Sequence, residues 1–261
     1  MHPLINVAVK AVRLAGREIL RSFDDPEHLQ IQAKGINDWV TNTDVKVEQL
    51  IIRTIHNSYP QHAILGEESG VQGKSDYMWI IDPIDGTVNF AHGLPSFCIS
   101  IAVAYRGRVE HGVVFDPVRQ ELFNASYGEG AFLNNRRIRC TNDVHLSQAM
   151  LSVVNGTIVS QQPTVEQFLN YYRTLYTSAA KIRQQGTVAL DCAHLAAGRI
   201  DGLVAFNMSY WDLAAGALLI REAGGTVVEP YNDAQYHNQS HVVAGNYELI
   251  QEIRDKLSYN E

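Results

Sequence analysis

Apolar residues near the start of the chain recur at helical spacing. Ile5, Val9, Val12 and Ile19 share one face of a segment whose opposite face carries Lys10, Arg13, Arg17 and Arg21, which predicts an amphipathic helix with a solvated basic stripe. Residues 38–44 are polar. Thr41, with Asp44 three positions on, resembles a capping box, and Val47, Leu50, Ile51 and Ile55 mark a second amphipathic helix that Tyr59-Pro60 ends. Short apolar runs at 63–65 and 78–81 are each followed at once by carboxylates, so they read as strands ending in acidic loops. From 97 to 138, strand-like runs are punctuated by Arg106-Gly107, Asp116-Pro117, Tyr127-Gly128-Glu129-Gly130 and Asn134-Asn135. That rhythm predicts antiparallel sheet.

Beyond a polar stretch at 140–147 the pattern changes to alternating helices and strands. Helices are expected over 165–177, 187–197 with Gly198 as the stop, 212–223 before Gly224-Gly225, and 247–257, with strands at 203–205, 226–228 and 241–244 between them. The expected division is an N-terminal α+β half, 1–143, carrying acidic loops, and a C-terminal α/β half, 144–261, completing the site. No internal repeat is present.

Composition narrows the class. With 261 residues, 46% hydrophobic and 19% charged, the chain is long enough for a large core and has no disordered character. A formal net charge of -7 argues against a polyanion such as nucleic acid as the main ligand. No stretch approaches the roughly 20 apolar residues that a membrane span needs. Cys98, Cys140 and Cys192 form no C-x-x-C pair and read as buried, reduced thiols, which points to a cytoplasmic protein.

The candidate chemistry lies in carboxylates. Trp79-Ile80-Ile81 runs into Asp82-Pro83-Ile84-Asp85-Gly86-Thr87, where Pro83 stiffens the turn and can leave the Ile84 carbonyl on the side of both Asp groups. An all-oxygen donor set suits Mg²⁺ first and Mn²⁺ second. Gly86 lets backbone N–H groups approach an anion, so metal-held phosphate could dock beside Thr87. The alternatives are a plain turn with a surface Asp pair or a structural calcium loop. Glu67-Glu68 taken alone is more often a solvated loop, and Asp212 or Asp44 is equally a helix cap. If cations supply the positive charge, the negative net charge is no obstacle to a phosphate ligand.

Three blocks together change that balance: Asp38-Trp39-Val40-Thr41-Asn42-Thr43-Asp44; Gly66-Glu67-Glu68-Ser69 with residues 79–90; and Trp211-Asp212 through Gly224-Gly225. They resemble the inositol monophosphatase family over nearly the whole chain, most closely its bacterial inositol-1-monophosphatase branch. The resemblance implies a layered αβαβα sandwich of α+β class, of the inositol monophosphatase/fructose-1,6-bisphosphatase type. It also implies a homodimer and a lithium-sensitive, Mg²⁺-dependent hydrolase of phosphate monoesters. Glu67, Asp82 and the Ile84 carbonyl would hold one metal, Asp82, Asp85 and Asp212 a second, and Glu67 a weaker third. Thr87 with Asp44, assisted by Glu67, would activate water, and Gly86, Thr87, Gly186, Thr187 and Asp212 would contact substrate.

Two departures qualify the likeness. Ala205 stands where the family places a glutamate that binds inositol hydroxyls, and Val88 stands where threonine is common. The resemblance also leaves open an interaction protein of ribosomal RNA transcription antitermination, with antitermination factors as partners, and phosphatases of fructose bisphosphate or 3′-phosphorylated nucleotides.

Overall fold

The computed structural model describes residues 2–35, 38–156, 163–230 and 240–258. Helix α1 (Pro3–Phe23) starts where the His2 ring accepts the Leu4 amide and Pro3 presets φ for the first turn. Strands β1 (Ile31–Gly35) and β2 (Asp38–Thr41) form an antiparallel hairpin in the stretch that the sequence marks only as polar. Helix α2 (Asn42–His56) opens on the expected capping box: Thr41 takes the Asp44 amide and Asp44 takes the Thr41 amide.

Strands β3 (Ala63–Gly66), β4 (Gly70–Gln72) and β5 (Tyr77–Asp85) lead through the short helix α3 (Thr87–Ala91) to a meander. The meander comprises β6 (Cys98–Tyr105), β7 (Arg108–Asp116), β8 (Glu121–Ser126), β9 (Gly130–Leu133) and β10 (Arg136–Arg137). All eight, β3 to β10, make one sheet in the order β10-β9-β8-β7-β6-β5-β3-β4. Only β3 and β5 pair in parallel, so residues 97–138 form the antiparallel sheet their turn signals predict. Alternation along β6 sorts its side chains: Ile99, Ile101 and Val103 pack against α1 and α2, while Cys98, Ala102 and Ala104 face the other way.

The remainder supplies β11 (Met150–Asn155), α4 (Val165–Ser178), β12 (Lys181–Arg183), α5 (Val188–Ala196), β13 (Gly202–Phe206), α6 (Tyr210–Glu222), β14 (Thr226–Val228), β15 (Val242–Gly245) and α7 (Tyr247–Ser258). Its sheet has the order β12-β11-β13-β15-β14, with β12, β11 and β13 parallel and β14 and β15 antiparallel additions. Helices α5 and α6 are sandwiched between the two sheets in one apolar core with Ile80, Ala102, Leu203 and Val242. Small residues permit this: a Cβ on Gly112 of β7 would lie 2.9 Å from the Ala215 carbonyl oxygen of α6. Helices α4 and α7 cover the outer face of the second sheet. The layers therefore run α1/α2, sheet, α5/α6, sheet, α4/α7, the αβαβα sandwich of α+β class.

Candidate active site

Strand β5 does not stop at Ile81. It continues to Asp85, with Asp82 opposite Ser100, Asp85 opposite Cys98 and a bulge between. Pro83 cannot donate to the ladder, and a bulge is where a strand tolerates that. Asp82 is 2% exposed and Ile84 1% exposed, so the bulge puts one carboxylate and one apolar side chain deep in the fold.

The other acidic groups are brought in by separate elements. Glu67 follows β3, and its amide donates to the Ile81 carbonyl at 3.1 Å. Glu48 of α2, itself buried, accepts the Glu68 amide at 2.9 Å. A Cβ on Gly66 would lie 2.5 Å from that Glu48 carboxylate, so α2 braces the acidic turn only because residue 66 is glycine. Asp212 is the third residue of α6 and takes the Ser209 amide at 2.7 Å. The helix starts two residues before the expected position, making Ser209 the cap residue and Asp212 its partner.

Electrostatics separates these carboxylates. Asp85 Oδ2 accepts the Thr187 hydroxyl at 2.6 Å and the Ala189 amide at 2.7 Å; burial raises its pKa, and these bonds oppose the rise. Asp82 lies well above the usual carboxylate range, through burial first and then the charges of Glu67, Asp85 and Asp212. Asp44 is fully buried and raised by burial against bonds from Thr41 and Thr87. Thr87 Oγ1 stands 3.1 Å from Asp44 Oδ1 and 3.0 Å from the Ile84 carbonyl oxygen, so its single proton is shared between two acceptors.

Two glycine loops close on each other beside this pair. Gly86 has φ 95° and Gly186 φ 76°. A Cβ on Gly86 would lie 3.0 Å from the Ser96 carbonyl oxygen, and one on Gly186 would lie 2.9 Å from Asn89 Nδ2. Asn89 ties the loops together, donating to the carbonyls of Ser96 at 2.8 Å and Gln185 at 2.7 Å. Sequence reasoning missed Asn89 and Glu48; an amide in the turn after D-G-T was the one available hint.

Glu67, Asp85, Gly86, Thr87, Gly186, Thr187 and Asp212 line one cleft of about 300 Å³. Asp44, Asp82 and Ile84 lie buried, reaching the site through Thr87 and the neighbouring charges. Thr187 spends its hydroxyl on Asp85 rather than on capping α5. Ala205 is fully buried and outside the cleft lining; Val154, opposite it on β11, is part of the wall.

These residues fit a hard divalent cation. Among the described residues, Asp82 Oδ1 is buried without a hydrogen-bond partner, a defect that a cation would remedy. The donor set is oxygen throughout, and burial first and then the charges of Glu67, Asp85 and Asp212 disfavour the ionised form of Asp82, a penalty that a bound cation would offset. No three His, Cys, Asp or Glu side chains among the described residues already surround one point in ligand geometry.

A Pseudomonas aeruginosa protein named Nus factor SuhB is 44% identical over 250 residues, spanning 94% of this chain and 92% of its own. The structure of extragenic suppressor protein suhB from Bartonella henselae matches with a TM-score of 0.92 at 35% identity, covering 98% of both chains. Thermotoga maritima IMPase matches with a TM-score of 0.88 at 30% identity, covering 99% of this chain and 98% of its own. The inositol monophosphatase family pattern spans residues 1–259, and the chain belongs to that family.

Proposed function

We propose that this chain is a Mg²⁺-dependent phosphatase of small polyol monophosphates, inositol 1-phosphate among them. The observation that carries the reading is the orphaned, buried Asp82 oxygen among Glu67, Asp85 and Asp212, beside the Thr87–Asp44 pair. Glu67, Asp82, the Ile84 carbonyl, Asp85 and Asp212 would hold two Mg²⁺ ions, with a weaker third at Glu67 and Mn²⁺ as a substitute. Bound there, the metal neutralises phosphate charge and acidifies water.

The chain's own groups perform the proton transfer. Thr87 Oγ1 accepts a proton from the attacking water as it passes its own to Asp44 Oδ1, along the 3.1 Å contact. Burial raises the Asp44 pKa, making it a better proton acceptor than an exposed aspartate. Backbone N–H groups at Gly86 and Thr87 orient the phosphate, and Asp212 meets the substrate side of the cleft. Phosphate release measured against Mg²⁺ concentration is the test: a chelator should abolish it, and a rate indifferent to chelation would end this reading.

A cytoplasmic homodimer completes the proposal. All three cysteines are buried and free, as a reducing compartment permits, and no helix among the described residues is long and apolar enough to cross a membrane.

A second reading is favoured by the Nus factor name of relatives 43–44% identical to this chain: an interaction role in transcription antitermination, with phosphatase activity secondary. An Asp85→Asn variant separates the two, since it should lose phosphate release and keep any binding to antitermination factors in size-exclusion chromatography.

A further inference from the structure

Part of the cleft wall carries no carboxylate, and it is built at the C-terminal ends of two parallel strands, where α/β sheets hold their ligands. Strand β11 ends in Val154 and Asn155 and continues into Gly156; β13 runs out into Asn207 and Met208. Asn207 Nδ2 donates to Asn155 Oδ1 at 2.9 Å. With its oxygen engaged by Asn207, Asn155 keeps its Nδ2 group to donate, and the residue lines the cleft.

The pair is held from three sides. Asn207 adopts φ 57°, a left-handed conformation that asparagine tolerates better than most residues, and its amide donates to His241 Nδ1 at 3.0 Å. The Gly156 amide donates to the Phe206 carbonyl at 2.8 Å, and a side chain at 156 would collide with the Asn207 carbonyl.

Charge completes the argument. Among the described residues lining the cleft there is no lysine, arginine or histidine, so a second anionic group on a substrate would enter unpaired beside Glu67, Asp85 and Asp212. Ala205, fully buried, offers no carboxylate to a hydroxyl either. We propose that Asn155, clamped by Asn207, selects the alcohol half of the substrate, donating from Nδ2 to a hydroxyl oxygen of a neutral polyol. This assignment rests on the phosphatase reading and adds to it the side chain that reads the alcohol.

Three esters test it in the wild type: inositol 1-phosphate, hydroxyl-free p-nitrophenyl phosphate and fructose 1,6-bisphosphate, each with saturating Mg²⁺. The wild type should prefer inositol 1-phosphate to the bisphosphate at least about tenfold in kcat/KM. In Asn155→Ala, the kcat/KM ratio of inositol 1-phosphate to p-nitrophenyl phosphate should fall about tenfold, mainly through KM, as expected for a lost hydrogen bond. Asn207→Gly keeps the positive φ while removing the clamp, and should lower the same ratio several-fold; it carries the test if Asn155→Ala does not fold. Ester hydrolysis with that ratio unmoved in both variants overturns this inference alone; a wild type that favours the bisphosphate overturns it together with the choice of monophosphates as substrates, and leaves the metal-dependent phosphatase chemistry standing. A folded wild type that hydrolyses none of the three overturns the phosphatase reading and this inference with it.

Discussion

Thr87 at the start of α3 reaches Asp44 in the first turn of α2, hydroxyl to carboxylate oxygen at 3.1 Å. The contact crosses 43 residues of sequence and joins a proton donor to an acceptor that no solvent reaches. Thr87→Ala should lower kcat by about 10²–10⁴-fold with little change in the Mg²⁺ response, and Thr87→Ser should restore most of the rate. Asp44→Asn should lose activity and also about 1 kcal/mol of stability, because the same carboxylate caps α2. Steady-state kinetics and urea unfolding separate the effects; Thr87→Ala turnover within threefold of wild type would remove Thr87 from the proton path.

Asp82 predicts a change whose sign depends on metal. Without divalent cations it is a buried acid repelled by Glu67, Asp85 and Asp212, so Asp82→Asn should raise the Tm of the metal-free protein by a few degrees, on the scale of about 2–4 °C per kcal/mol for a chain of this size. Adding Mg²⁺ should raise the wild-type Tm further and leave the variant nearly unmoved, because binding stabilises only a fold that can bind. Equal Mg²⁺-induced shifts in both proteins would place the metal elsewhere.

The facing glycine loops predict a coupled pair. Gly186→Ala forces φ 76° on alanine and drives its Cβ to 2.9 Å from Asn89 Nδ2, which should cost about 1–3 kcal/mol. In an Asn89→Ala background the clash is gone and only backbone strain remains, so the cost should shrink measurably. A double-mutant cycle in urea reads the difference; strict additivity would mean that Asn89 does not crowd the loop.

Much of this site was legible because its residues break local patterns: carboxylates at the end of apolar strands, glycine after the second aspartate, a threonine–aspartate cap. What stayed hidden has physical reasons. The β1–β2 hairpin exposes Ile31, so it lacks the period-2 burial that betrays a strand. Strand β5 runs through Asp82-Pro83 because its bulge accommodates residues that intrinsic preference excludes. Ala205, at the position where the resemblance expects a glutamate, is buried outside the cleft lining, while Asn155 and Asn207 belong to that lining. Two neutral amides 52 positions apart carry no charge or spacing signal that a sequence would display.

Gln185 links two buried titratable groups whose effects on stability oppose each other. Its Nε2 stands 3.0 Å from Asp191 Oδ1 and 3.2 Å from His194 Nδ1, and Ser152 donates to the other Asp191 oxygen at 2.7 Å. Burial pushes Asp191 up to about 7 from 3.8 and His194 down to about 4 from 6.5. Between about pH 4 and 7 the folded Asp191 holds a proton that the unfolded chain has lost, so its contribution falls as pH rises. Over nearly the same window the unfolded His194 holds a proton that the folded chain refuses, so its contribution rises with pH. The two slopes largely cancel in the wild type. Asp191→Asn should expose the histidine slope, losing on the order of 1–3 kcal/mol on acidification from pH 7 to pH 4.5, while His194→Gln should expose the aspartate slope and gain a similar amount. Urea unfolding at several pH values, with a chelator present so that metal binding adds no pH dependence of its own, measures both. If both variants kept the wild-type slope, or shifted it in the same direction, the opposed pair would not be the source of the flat profile.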